Sequence, residues 1–168
     1  MPGFKIHGEG GDVDANIETY RSHRFVLDSF LGKPGNKSPF DLLKDVDLPE
    51  RTIEELQIKT PGATYKFGKQ ANYTDLKLIF YIPPYLVPEL EKMQDKVHTT
   101  DKGIGDFNKY VDEIYLTMYH DTVDIKMVFK NAWISNITYG QLSYGSSEIK
   151  LATVTIKYSW YELIEAGD

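Results

Sequence analysis

The sequence predicts a mainly β protein: an antiparallel β-sandwich or partly closed barrel with one flanking α-helix. Three observations carry this. Short runs alternate with a period of two, as in Leu76, Leu78, Phe80 and Ile82 against Asp75, Lys77 and Tyr81. Breaks rich in Gly and Pro separate the runs, among them Gly32-Lys33-Pro34-Gly35-Asn36 and Pro83-Pro84. Helical spacing appears once, at Leu86–His98, whereas a parallel sheet needs a helix between most of its strands.

Taken in order, residues 1–20 are rich in Gly, Asp and polar side chains without periodicity, and read as an extended N-terminal arm. Residues 21–168 form one domain, a length that suits a single core. His23–Leu31 reads as the first strand, with Phe25 and Leu27 on one face. A shorter, less regular run spans Phe40–Leu48, and Pro49 ends it. In Thr52–Lys59, Glu54, Leu56 and Ile58 share one face, and Glu55, Gln57 and Lys59 the other. Pro61-Gly62 is a turn, Thr64–Phe67 a short strand, and Gly68–Asn72 a further break.

Thr74–Ile82 is the clearest early strand. In the following helix, about residues 86–98, Leu86, Leu90, Met93 and Val97 make an apolar stripe opposite Glu89, Glu91, Lys92 and Lys96. Thr99–Phe107 reads as a loop, and Glu113–Tyr119, Ile125–Trp133 and Ile149–Trp160 as three more strands. The shared core is expected to hold Phe25, Leu56, Ile58, Leu76, Leu78, Phe80, Val154, Ile156 and Trp160, closed over by Leu90, Met93 and Val97.

Composition narrows the function classes. A net charge of −6 argues against wrapping nucleic acid, which requires clustered Lys and Arg. There is no cysteine, which excludes thiol catalysis and thiolate metal sites and favours a reducing compartment. No apolar run approaches the roughly 18–20 residues of a membrane helix, and the first residues lack a signal-peptide apolar region. His120-Asp121-Thr122-Val123-Asp124 offers an imidazole and two carboxylates to a cation, but reads better as a polar turn between strands. Gly8-Glu9-Gly10-Gly11 follows no strand and lacks the Gly-Lys-Ser/Thr ending of a phosphate loop. Glu54 and Glu55 point to opposite faces of a strand and cannot act together as acid and base. Tyr139, Tyr144, Tyr158 and Tyr161 suit strands and interfaces better than a sugar platform. The expectation is a protein that is not an enzyme and needs no cofactor or metal.

The C-terminal third carries Lys130-Asn131-Ala132-Trp133, a turn-rich connection, Ser147-Glu148-Ile149, and the run Ala152–Leu163 ending in Tyr158-Ser159-Trp160-Tyr161. An earlier block runs from Leu48-Pro49 through Pro61-Gly62-Ala63-Thr64-Tyr65-Lys66-Phe67-Gly68-Lys69 to Leu78. In order and spacing around the central helix, from about His23 to Leu163, these blocks resemble the tail tube proteins of contractile-tailed (T-even-type) phages. They also resemble the inner tubes of type VI secretion and other contractile injection systems.

The resemblance implies homo-hexameric rings whose strands join one ring-wide barrel, stacked into a tube that double-stranded DNA crosses without specific binding. It implies tail sheath, baseplate and tail-terminator partners, and a place in a virion tail assembled in the bacterial host cytoplasm. A baseplate or tube-end ring of the same fold, or the inner tube of a cellular injection system, is the alternative. The segment Thr60–Asn72, with Pro61, Gly62, Lys66, Lys69 and Gln70, is expected to reach the neighbouring ring. Glu55, Gln57, Lys59, Thr153 and Thr155 are expected to line the lumen.

Overall fold

A computed structural model of the protein describes residues 24–35, 37, 40–99, 101–120, 123–140, 144–145 and 150–166. The arm expected at residues 1–20 lies outside the described residues. The architecture is an antiparallel β-sandwich with a flanking helix, and no barrel closes among the described residues. Strands β1 (Phe25–Phe30), β2 (Lys33–Pro34) and β3 (Leu43–Asp47) precede a hairpin, β4 (Arg51–Thr60) and β5 (Ala63–Tyr73). Then follow β6 (Leu76–Tyr81), α1 (Leu86–Val97), a small hairpin β7 (His98–Thr99) and β8 (Gly103–Ile104), and the short helix α2 (Phe107–Tyr110). Strands β9 (Asp112–Met118), β10 (Asp124–Thr138), β11 (Leu151–Lys157) and β12 (Trp160–Ala166) complete the chain.

The sandwich is organised by β10, long enough to serve both layers. Its first half pairs with β9 and β12, and its second half with β11. One layer runs β2-β1-β9-β10-β12 and the other β10-β11-β6-β3. The change of layer falls at Asn131, whose φ of 54° is left-handed, beside a bulge between Phe129 and Ala132. Asn tolerates this region better than other side chains, and a bulge bends its strand. The partner bends at the same place. Asn131 Nδ2 donates to Ser159 Oγ at 3.2 Å, and the Ser159 N–H donates to the Lys130 carbonyl at 2.9 Å. The single strand expected at Ile149–Trp160 is therefore two, β11 and β12, folded around that corner; residues 146–149 lie outside the described residues.

The core lies between the layers. Leu76, Leu78 and Phe80 of β6 face Ala152, Val154 and Ile156 of β11 in register, all fully buried. Phe30, Phe40 and Phe80 meet with ring centroids 4.8–6.2 Å apart, in tilted and edge-on poses. A bulge between Leu27 and Ser29 shifts the phase of β1, so that Leu27 and Phe30 turn inward while Phe25 is only partly buried. Helix α1 sets Leu86, Leu90 and Met93 into the core, with Val97 at its rim. Pro88 sits in the first turn, where its missing N–H costs nothing. Alongside β10, Gln94 donates to the Ser135 carbonyl at 3.4 Å, and the Tyr139 hydroxyl donates to Glu91 at 2.6 Å.

Three expected core residues are not in it. Leu56 and Ile58 are half exposed, because β4 pairs with β5 alone in a separate two-stranded sheet. Trp160 opens β12, and its ring is also uncovered. Nor is Gly68–Asn72 a break. It lies within β5, where Gly68 pairs with Glu55 and a bulge between Ile53 and Glu55 absorbs the extra residue. A Cβ at Gly68 would come within 3.2 Å of Ile53 Cγ2, so glycine relieves crowding there. The Thr99–Phe107 loop likewise contains β7, β8 and the start of α2; the brevity of these elements hid them.

Candidate assembly surfaces

The segment expected to project as a loop is a ten-by-eleven-residue β-ribbon. The two-residue turn Pro61-Gly62 closes its tip. Cross-strand register sorts its side chains. Leu56 faces Phe67 and Ile58 faces Tyr65, forming an apolar row on one side. Glu55 faces Gly68, Gln57 faces Lys66 and Lys59 faces Thr64, forming a polar row on the other. The apolar row is uncovered: Leu56, Ile58, Tyr65 and Phe67 are 47, 49, 53 and 50% exposed.

Lys66 and Lys69, by contrast, are matched within the hairpin. Lys66 Nζ lies 3.4 Å from Glu55, and Lys69 Nζ lies 3.5 Å from Glu54, which also accepts from Asn72 at 2.7 Å. Of the residues expected to touch a neighbouring ring, Pro61 and Gly62 form the tip. Lys66, Lys69 and Gln70 lie exposed along β5.

The base of the ribbon is fastened to the sandwich. Glu50 N–H donates to Thr74 Oγ1 at 2.7 Å, and Thr74 N–H donates to the Glu50 carbonyl at 3.0 Å. Tyr158 Oη donates to the Thr74 carbonyl at 2.9 Å. The Tyr73 ring stacks edge-on against Tyr158 and Tyr161, at 5.9 and 5.5 Å, and Phe129 packs below them. Burial, with Tyr161, Tyr73 and Asp75 nearby, holds the Tyr158 phenol well above its ordinary pKa. An aromatic joint therefore links the hairpin base to β12.

Two further surfaces matter. The outer face of β11 carries Thr153 and Thr155, flanked by Thr138 and Asn136 of β10 and by Ile79 and Lys77 of β6. Lysines on this face are paired: Lys157 with Asp75 at 2.7 Å and Lys77 with Asp47 at 3.7 Å. Glu55, Gln57 and Lys59 share the polar row of the hairpin instead, so the expected lumen residues occupy two different sheets. The second surface is β12, an edge strand paired only with β10 among the described residues. It leaves Trp160, Leu163 and Ile164 exposed.

The His120–Asp124 turn holds its carboxylate internally, since Asp124 accepts from the His120 N–H at 3.1 Å. Asp121 and Thr122 lie outside the described residues. Among the described residues, no group of three His, Asp or Glu side chains is placed to hold a metal ion.

Periodicity alone could not separate the apolar row from a core strand, because Leu56 and Ile58 alternate just as Leu76 and Leu78 do. The available signal was pairing: two alternating runs placed symmetrically about Pro61-Gly62 describe a self-contained amphipathic hairpin.

No family model matches the chain, and no curated protein matches it. Solved structures do. A chain of the extended sheath-tube complex of PVC, an extracellular contractile injection system, aligns with a TM-score of 0.69 at 15% identity, over 89% of this chain and 94% of that one. A chain of the anti-feeding prophage tube-terminating cap aligns with a TM-score of 0.68 at 14% identity, over 93% and 97%. A chain of the six-fold symmetrised anti-feeding prophage baseplate gives 0.61 at 16% identity, over 87% and 95%. At such identities the likeness establishes the fold: this chain has the β-sandwich found in these contractile-system chains, across nearly the whole length of each.

Proposed function

We propose that this protein is a structural subunit of a contractile tail tube, assembling into hexameric rings that stack into a conduit for DNA. The observation that carries the reading is the amphipathic hairpin β4–β5. An isolated two-stranded ribbon is marginal in water, yet this one extends ten residues with an apolar row left bare. Such a face is a surface awaiting a partner. An edge at β12, unpaired on one side among the described residues, adds a second surface, and contacts between two different surfaces of like chains are heterologous, generating rings or filaments rather than closed pairs. Fold likeness to a chain of a sheath-tube complex supports the same reading.

The lumen is assigned to polar rows such as Glu55, Gln57 and Lys59 or Thr153 and Thr155. Pairing of Lys66, Lys77 and Lys157 with carboxylates leaves little net positive charge to trap phosphate. Sheath, baseplate and terminator proteins are the expected neighbours, in a virion tail or an injection device. A baseplate or tube-end ring is the second reading, because chains of a baseplate and of a terminating cap also share the fold.

Shortening the hairpin tests the assignment. Joining Glu55 to Gly68 through a two-residue turn removes the distal ribbon but leaves the anchored base. The expected result is a folded subunit that no longer forms long tubes. Tubes of normal length from the shortened protein would remove the hairpin from the stacking contact.

A further inference from the structure

Resting on the tube reading, we infer which surface of the hairpin makes the contact and what receives it: the apolar row Leu56, Ile58, Tyr65 and Phe67 seats on edge strand β12 of a second copy, on the side that presents Leu163. The contact thus moves from the expected Pro61, Gly62, Lys66, Lys69 and Gln70 to the apolar row.

The polar row asks for no partner. Glu55 and Lys66 satisfy each other there, and on the other face, toward the base of the ribbon, Glu54 engages both Lys69 and Asn72. Burying those pairs against another protein would add desolvation cost with little Coulombic return. The apolar row has no internal cover, and its four half-exposed side chains present roughly 300–400 Å² of removable apolar surface. That is about half of what one partner contributes to a standard interface of ~800 Å² per side. The ribbon therefore adds to an assembly held by other contacts as well, as a stacked ring would be.

The chain itself offers the complementary surface. Several large apolar side chains outside the hairpin are exposed singly in connections, such as Tyr85, Val123 and Tyr144. In β12, three fall within five residues of one extended strand. Leu163 lies opposite buried Met127 and is 60% exposed, while Trp160 and Ile164 point to the other side, opposite Lys130 and Lys126, so the apolar seat is the Leu163 side. Among the described residues the strand also presents an unpaired backbone edge, the geometry a ribbon can lie along. Ile104 and Phe107 form the nearest rival patch. They sit beside Lys96, Lys102, Asp106 and Lys109, and Phe107 is already packed on Tyr110 at 5.5 Å.

The absence of cysteine makes the contact directly testable. Under mild oxidation, assembled Ile58→Cys/Leu163→Cys protein should give a ladder of covalently linked copies that collapses on reduction. Ile58→Cys alone and Ile58→Cys/Ile104→Cys should stay single chains. A ladder from either of those, or none from the first in visibly assembled protein, overturns the inference while leaving the tube reading intact.

If the wild-type protein never assembles, it is the tube reading that fails. Should the double variant not assemble, the pair Leu56→Glu and Lys66→Glu decides. The first should abolish tubes with unfolding unchanged, and the second should leave them. Equal effects would refute the inference. Flotation of the wild-type protein with phosphatidylcholine vesicles, lost in Leu56→Glu, would instead assign the row to lipid.

Discussion

Leu78→Ala and Leu56→Ala remove the same atoms from the same kind of strand, yet the structure separates them sharply. Leu78 is fully buried at the centre of β6, flanked in register by Val154 of β11 and Val46 of β3. Its truncation forfeits the transfer free energy of a buried Leu and leaves a cavity that two neighbouring strands hold open. The expected cost is about 3–4 kcal/mol. For a chain of this size, each kcal/mol lowers Tm by about 2–4 °C, so the melting point should fall by roughly 6–16 °C.

Leu56 is 47% exposed on a ribbon whose apolar row is bare among the described residues. Truncation there loses about half the burial and opens no enclosed void, a cost below about 1 kcal/mol. Urea and thermal unfolding should be followed on dilute, unassembled chain, because association would add its own stability. Equal shifts for the two variants, or a larger one for Leu56→Ala, would refute the division between core and hairpin.

Other outcomes follow from the corner, the aromatic joint and the bore. Asn131 is held at positive φ where both strands change layer; Asn131→Gly should be tolerated, while Asn131→Val should cost about 1–3 kcal/mol, read by denaturant midpoint. Burial raises the folded pKa of Tyr158 above its ordinary value of 10.0. Its contribution to stability is therefore complete below about pH 10 and is lost as pH rises toward the folded value. The stability gap between wild type and Tyr158→Phe should shrink above pH 10, and parallel curves would contradict the assignment. Assembled protein mixed with short double-stranded DNA should retain little of it even at low salt. Replacing Glu55, Gln57, Thr153 and Thr155 with Lys should create salt-sensitive retention, and tight binding by the wild type would exclude a passive bore.

Much of the fold was legible because its strongest signals are local. The alternation in Leu76–Ile82 and the stripe of Leu86, Leu90 and Met93 mark a strand and a helix whatever surrounds them, and both lie in the core. What was not legible depends on pairing. Leu56 and Ile58 carry a core pattern, but only their partners, Phe67 and Tyr65 on the same isolated ribbon, show that the face is bare. Trp160 ends a run that reads as one strand, and the bend at Ser159 is dictated by Asn131, distant in sequence. The proposed contact lies in the segment that the sequence singles out, but is assigned to its apolar row and not to its lysines. Charged side chains suggest a solvated projection, and intramolecular pairing of Lys66 and Lys69 is invisible in sequence.

Self-assembly is decided by electron microscopy of the purified protein, with sedimentation of the same sample. The expected result is six-fold rings and tubes of stacked rings, in equilibrium with smaller species. A single species near 19.3 kDa at every concentration, with no ring in any field, would contradict it.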